Sequence, residues 1–386
     1  MRTTMAWALA LTLGWTTSTA AEDAFPKFTP RVLDPAIGKV CYAVTLADVD
    51  GDGKQDVVAV SENRVLWYQN PTWQKRVIIE DQTPLDNVCI DAHDIDGDGL
   101  VDFALGAGWT RTGTIHWLQR GASLDDRWTV HFVAEERSVH RMRFADVLGT
   151  GKPQLVVSPL NASVAPGVRL LAFEVPNDPV NERWRPTVLD DTLNRMHNHW
   201  HVDLDASGNI DTLTASREGV HQISRRAGNW ARTKLADGAS AEQPDQRGAG
   251  EIKHGRMRDG GFFLTTVEPM HGSMLAVYLP PQQGDMWQRF VIDEGFRRGH
   301  GLWTSDLDGD GQDEIVFGHS DTPGTFGVIV YRLVDAATGE WQKHVIDAGG
   351  MATEDLVVGD LTGDGRPDIV AGGRATGNVI LYINEP

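Results

Sequence analysis

The sequence predicts an all-β fold: a seven-bladed β-propeller of four-stranded blades, its ring closed by an N-terminal strand. Three observations lead there. An Asp-rich loop, Asp48-x-Asp50-Gly51-Asp52-Gly53-x-x-Asp56, returns at Asp94, Asp306 and Asp360, and in eroded form at Asp146, Asp203 and near Met257. Spacings of roughly 46 to 57 residues indicate repeated supersecondary units rather than two or three ordinary domains. A second mark, an aromatic with apolar residues four and five positions later, occurs at Trp73, Trp128, Trp184, Trp230, Trp287 and Trp341, with Lys234 the one polar exception. The third observation is a displaced strand. The last unit runs out after Val379-Ile380-Leu381-Tyr382, and Phe28 with Val32-Leu33 carries its missing fourth-strand pattern at the other end of the chain.

Within a unit, an apolar strand runs into the Asp loop. A second strand follows, such as Val57-Val58-Ala59-Val60, then a third, such as Val65-Leu66-Trp67-Tyr68, then the aromatic-marked fourth. Radial closure leaves such sheets only short, protected edges. An elongated solenoid is the structural alternative, and the displaced strand argues against it.

Ahead of the repeats, Arg2, an apolar run through Trp15 and Ser18-Thr19-Ala20 read as a secretory signal peptide over residues 1–20, leaving a propeller over 21–386. No later stretch approaches the roughly 18 uninterrupted apolar residues of a membrane helix, so a secreted or periplasmic protein without a membrane span is expected. The formal charge of −19 argues against nucleic acid as a partner. Cys41 and Cys89 lie at comparable points of the first two repeats. An export compartment would permit a bridge between them, and two buried free thiols are the alternative. No feature of the sequence sets the oligomeric state.

Carboxylates at loop positions one, three, five and nine, with Gly at four and six, suit Ca²⁺, a hard cation that takes six to eight oxygens. The expected ligands are Asp48, Asp50, Asp52 and Asp56; Asp94, Asp96, Asp98 and Asp102; Asp306, Asp308, Asp310 and Glu314; and Asp360, Asp364 and Asp368, where Thr362 replaces the second Asp. Repeat four offers Asp203, Asp205, Ser207 and Asp211, while repeat three has Leu148 and Thr150 in place of ligands. Ordinary turns are the plain alternative. Near-copies in register weigh against it, and a structural role at the face opposite any active site follows.

The loops also serve as a ruler. Six residues before the first loop position lie Tyr42, Val88, His140, His197, Glu251, His300 and Glu354, taking Met257 as that position in repeat five. In a propeller these residues start the innermost strands, so four neighbouring blades present His, His, Glu and His at one height. Strand alternation puts His199 and His201 on the face of His197, and Lys253 on that of Glu251. Arg141 flanks His140, and the loops after the second strands bring Arg217, Glu268, His271, His319 and Arg374 toward the same mouth. Imidazole and carboxylate together suit Zn²⁺ or another divalent transition metal, with His140, His197 and His271 as ligands. His140, Arg141, His199, Arg217, Glu251, Lys253, Glu268, His300 and Arg374 form the catalytic set. A hydrated channel with scattered polar residues is the bland alternative.

The Asp loops resemble the FG-GAP or VCBS repeat of integrin α-subunit propellers. Val139-His140-Arg141, Ala215-Ser216-Arg217-Glu218-Gly219, Gly250-Glu251-Ile252-Lys253, Val267-Glu268-Pro269-Met270-His271-Gly272, Gly299-His300-Gly301 and Gly372-Gly373-Arg374-Ala375-Thr376-Gly377-Asn378 resemble the propeller domain of the aldos-2-ulose dehydratases and their bacterial relatives. That resemblance implies a carbohydrate lyase eliminating water, or a glycoside, β to the carbonyl of a keto-sugar such as 1,5-anhydro-D-fructose. The fungal members carry additional cupin domains for isomerisation, so the expectation covers elimination alone. Two other functions compete. One is a polysaccharide lyase in which Arg141, Arg217 and Arg374 clamp a uronate; the other is a non-catalytic, calcium-stabilised adhesion or carbohydrate-binding propeller.

Overall fold

The computed structural model describes residues 25–385 apart from 110, 164–165, 227, 282, 321–324 and 337. The expected leader, residues 1–20, lies outside the described residues. Strand β1 (Lys27–Asp34) comes first, followed by blade one from β2 (Cys41–Ala47), β3 (Asp56–Ser61), β4 (Arg64–Gln69) and β5 (Gln74–Glu80). Blade two holds β6 (Cys89–His93), β7 (Asp102–Ala107), β8 (Thr114–Gln119) and β9 (Thr129–Glu135). Blade three holds β10 (Val139–Ala145), β11 (Gln154–Pro159), β12 (Leu170–Glu174) and β13 (Arg185–Asp190). Blade four holds β14 (Asn198–Val202), β15 (Asp211–Ser216), β16 (Gly219–Arg226) and β17 (Asn229–Ala236). Blade five holds β18 (Ile252–Arg256), β19 (Phe262–Glu268), β20 (Met274–Leu279) and β21 (Gln288–Glu294). Blade six holds β22 (Gly299–Ser305), β23 (Glu314–His319), β24 (Gly327–Asp335) and β25 (Glu340–Ala348), and blade seven holds β26 (Thr353–Gly359), β27 (Asp368–Gly373) and β28 (Val379–Glu385).

Each sheet is antiparallel and four-stranded, and the seventh has the order β1-β28-β27-β26. The N-terminal strand therefore closes the ring as expected, running from Lys27 opposite Glu385 to Asp34 opposite Val379. Inner strands touch around a complete circle, from β2 through β6, β10, β14, β18, β22 and β26 back to β2. Among the described residues the core divides into seven apolar clusters, each drawn from two adjacent blades. Side chains on opposite faces of a blade thus pack against different neighbours, as the period-two alternation of strands requires.

Cys41 belongs to the cluster between blades seven and one, and Cys89 to that between blades two and three. They lie on opposite flanks, and both are buried free thiols. No helix among the described residues is long and apolar enough to cross a membrane.

Candidate active site

The inner strands begin with irregular backbone, and that irregularity aims the histidines. The ladders of blades one, three, six and seven skip a residue at Tyr42, His140, His300 and Glu354. A β-bulge of this kind redirects one side chain without disturbing its neighbours. Ser138, Arg195 and Arg298, each two residues before His140, His197 and His300, adopt left-handed φ values of 63°, 48° and 50°. Gly248, with φ 81°, precedes Gly250 by the same step in blade five. Left-handed backbone at a non-glycine residue costs of order 1–3 kcal/mol and persists where surrounding structure imposes it. Here it recurs in the blades that build the site.

The result is a compact cluster of four imidazoles. Ring nitrogens of His140, His197 and His271 lie within 4.8 Å of one another, as do ligand atoms of His197, Glu251 and His300. His197 Nε2 is 2.6 Å from His271 Nε2, and the His271 and His300 rings stack at 4.7 Å. His271 arrives from the loop joining β19 to β20. Behind His197, Glu251 Oε1 lies 3.0 Å from its Nδ1 and 3.0 Å from Arg141 Nη2, while Asn198 donates to Oε2. A proton on His197 Nδ1, facing that carboxylate, leaves the lone pair on Nε2, the arrangement in which a carboxylate orients a metal-binding histidine.

Burial, more than any neighbouring charge, lowers the pKa values of His140, His197, His271 and His300, with surrounding cations adding to it. The four rings are therefore neutral at pH 7 and offer lone pairs. Both nitrogens of His140 are buried without a protein partner, and so is His300 Nδ1. Buried polar atoms normally find partners, so these orphans mark a place for a group bound from outside. The donor set fits a divalent transition metal such as Zn²⁺. For Glu251, burial opposes ionisation, but Arg141, His197 and Lys253 outweigh it and hold the carboxyl well below its usual range.

Other expected residues fall into three groups. Arg374 Nη1 binds Glu354 Oε1 at 2.7 Å, and the same oxygen lies 3.7 Å from His300 Nε2, so this pair borders the cluster. Arg217 is on the rim, 3.7 Å from Asp245. His199 and Glu268 lie elsewhere. Because the backbone turns irregularly at His197, His199 does not share its face: it is buried against blade three, its Nδ1 2.8 Å from Ser158 Oγ. Glu268, fully enclosed, accepts from Thr266 Oγ1 at 2.7 Å, from Tyr278 and from Arg289 at 2.8 and 2.6 Å, which directs it into its own blade.

The ruler also slips in repeat five. Glu251 meets Arg141 and Asn198, which lie one residue after the histidines of their blades, and Lys253 meets Trp200 and Trp303. The turn does open at Met257, directly after the Arg256–Phe262 pair that ends β18, but Gly250 takes the place that His197 holds in blade four, so Glu251 stands one step deeper in the channel than its expected height. Three residues missing from the expected set join the site: Asn198, Arg298 and Trp109, whose ring stacks on His140 at 6.0 Å. Asn198 carries no signal of its own; the offset that selects Arg141 finds it.

At the opposite face the structure brings together Asp48, Asp50 and Asp56; Asp94, Asp96 and Asp98; and Asp306, Asp308 and Glu314, each set with ligand atoms within 4.8 Å. Asp52 and Asp310 turn to Lys54 and Arg258 instead. Asp102 accepts the Arg120 amide at 2.8 Å. In repeat seven Asp360 caps the turn, Asp364 pairs with Arg366, and Asp368 accepts Leu361 and Asn384 amides.

A family model described as aldos-2-ulose dehydratase, β-propeller domain, matches residues 112–280, which contain His140, His197, Glu251 and His271. The chain resembles the aldos-2-ulose dehydratase propeller. An FG-GAP-like repeat model matches residues 48–105 and 306–371, where the fullest Asp loops lie. Aldos-2-ulose dehydratase of Phanerodontia chrysosporium is 27% identical over 275 residues, covering 64% of this chain and 30% of its own length. The chain thus spans under a third of that relative. Among solved structures, the exotype rhamnogalacturonan lyase YesX superposes with TM-score 0.52 over 94% of this chain and 75% of its own, at 12% identity. Sqt1 of Saccharomyces cerevisiae gives TM-score 0.56, covering 94% of this chain and 99% of its own, also at 12% identity. These two likenesses are of fold alone.

Proposed function

We propose that this propeller is a carbohydrate lyase of the dehydratase type, removing water β to the carbonyl of a keto-sugar at the four-histidine cluster. The observation that carries the reading is the cluster itself: neutral, buried imidazoles with unpartnered nitrogens, three of which, His140, His197 and His271, lie in the stretch that resembles the dehydratase propeller. His140, His197 and His271 would hold a divalent transition metal, which when bound supplies Lewis-acid polarisation of a carbonyl. Glu251 acts as a positioning residue. Its oxygens are taken by Arg141, Asn198 and His197 and its pKa is lowered, so it is a poor base.

His300 is better placed to move a proton. Its neutral ring can accept the proton from the carbon beside the carbonyl. The electron pair released then forms the carbon–carbon double bond as the β-hydroxyl departs, leaving as water with one added proton. Glu354, adjacent to His300, can supply that proton: burial raises its pKa despite Arg374 and Arg298, so it retains a proton more readily than an exposed carboxyl. A depression of about 620 Å³, lined by Arg195, Asp245, His271 and Arg298, gives substrate a place at the mouth.

The test is to incubate the purified protein with 1,5-anhydro-D-fructose, aldos-2-uloses and uronate polymers, following unsaturated product by ultraviolet absorbance. Product from the keto-sugars is expected, with kcat/KM lower by at least about a hundredfold in His140→Ala, His197→Ala and His300→Gln, the scale of lost acid–base catalysis. Activity on uronate polymers alone would favour a polysaccharide lyase. No product from any substrate, or unchanged rates in all three variants, would sink the catalytic reading. The reading includes export of the mature chain, which N-terminal sequencing of secreted protein would check.

A further inference from the structure

Below the layer formed by Arg141, Asn198 and Glu251, the central channel widens into a second chamber. Its volume is about 290 Å³. That is near the lower end of small-molecule pockets, roughly 300–1,000 Å³. All seven inner strands contribute to its wall. Thr45, Asp91, Arg143, Trp200 and Trp303 on that wall are half-buried, whereas His140, His197 and His300 are closed off, so the chamber meets water from the Asp-loop side.

Both signs of charge line the chamber. Lys253 is 2% exposed, and its Nζ makes one long hydrogen bond, 3.4 Å to the Ile252 carbonyl. Trp200 and Trp303 hold that ammonium at 4.6 and 5.4 Å from their ring centres. Arg143 lies over Trp200 at 4.9 Å. Its guanidinium has no hydrogen-bond acceptor among the described residues. These cations come from blades three and five, flanking blade four. Asp91 comes from blade two, beside the blade of Arg143, and Asp355 from blade seven. Each uses one oxygen on a backbone amide, Asp91 Oδ2 on Phe144 at 2.6 Å and Asp355 Oδ2 on Val44 at 3.1 Å. Neither Arg143 nor Lys253 comes within 4.0 Å of either carboxylate.

Both signs of charge thus line the chamber with no hydrogen bond or ion pair between these cations and these carboxylates, where low dielectric makes unmet hydrogen-bonding capacity costly. A simple anion would meet Asp91 and Asp355, and a simple cation would meet Arg143 and Lys253. A polyhydroxylated neutral molecule avoids both repulsions, because each hydroxyl donates to a carboxylate or accepts from a cation. The exposed parts of the indole rings add an apolar surface for C–H groups. We infer that the channel chamber is a second carbohydrate-binding site, sized for one monosaccharide and separate from the histidine cluster. It does not depend on the catalytic reading, since an inactive propeller would still bind there.

Isothermal titration calorimetry on the full chain tests this with D-glucose, D-mannose and 1,5-anhydro-D-glucitol as neutral probes, and D-glucuronate and glycine betaine as charged ones. At least one neutral sugar should bind saturably, and binding should survive His271→Ala at the mouth. Asp91→Asn and Arg143→Gln, with folding verified by thermal denaturation, should each weaken it by about tenfold or more, the loss of a charge-assisted hydrogen bond. The proposal fails if no neutral probe binds, if only glucuronate or betaine binds, or if His271→Ala removes binding that both chamber variants retain.

Discussion

Glu251 and Glu268 are both enclosed carboxylates of blade five, and their neighbours give them different work. Glu251 braces a histidine of the candidate site; Glu268 braces its own sheet through Arg289 on the outermost strand. Removing Arg289 would strand a fully buried charge, so Arg289→Ala should cost about 3 kcal/mol in denaturant unfolding while sparing activity per folded molecule. Sequence spacing saw only that both glutamates lie near the mouth. It carried no information about Tyr278 and Arg289, which reach Glu268 across the sheet. A second prediction concerns His116 and His221, buried on β8 and β16 away from the cluster. Burial lowers both to about 4, with Arg232 and Lys234 adding to the effect at His221. An unfolded histidine titrates near 6.5. The unfolded chain therefore binds more protons between these values, and stability present above about pH 6.5 should be lost as pH falls through about 4, by up to roughly 3 kcal/mol per histidine. Melting curves of His116→Gln should show a shallower acid decline.

At the scale of the element, the strand β1 is the clearest success of sequence reading, because Phe28 and its apolar followers repeat a spacing seen six times elsewhere. A chain beginning at Pro35 should lose the pairing along β28, expose that strand's edge, melt at lower temperature and associate in size-exclusion chromatography coupled to light scattering. The inner strands were legible only in part. Offsets from the Asp loops located His140, His197 and His300, since those strands keep a common length. They failed in blade five, where the turn opens at Met257 as counted but Glu251 lies level with Arg141 and Asn198, one residue past the histidines of their blades. Alternation failed at His199 for a related reason, because periodicity assumes a regular pleat and the strand starts are irregular.

For the molecule as a whole, two faces divide the labour. The histidine cluster occupies one mouth, and the acidic loops turn the chain at the other. Burial raises Asp56 to about 7 and Glu314 to about 8, with adjacent loop carboxylates contributing, so without a cation these two carboxyls hold a proton near neutral pH. Bound Ca²⁺ would favour their ionised form. Chelation by EGTA should lower the melting temperature, and saturating Ca²⁺ should restore it by the equivalent of about 2.7 kcal/mol per site at a hundred times the dissociation constant. An unchanged melting curve would mean that the loops are self-sufficient turns. The closure of blade seven has a further consequence, one of time rather than space. Lys27–Asp34 precedes every blade, yet its partner Val379–Glu385 is the last strand in the chain. The first strand to be synthesised is the last to be matched. Until translation is complete, six blades can pair within themselves but the circle cannot shut, because its closing contact spans nearly the whole chain.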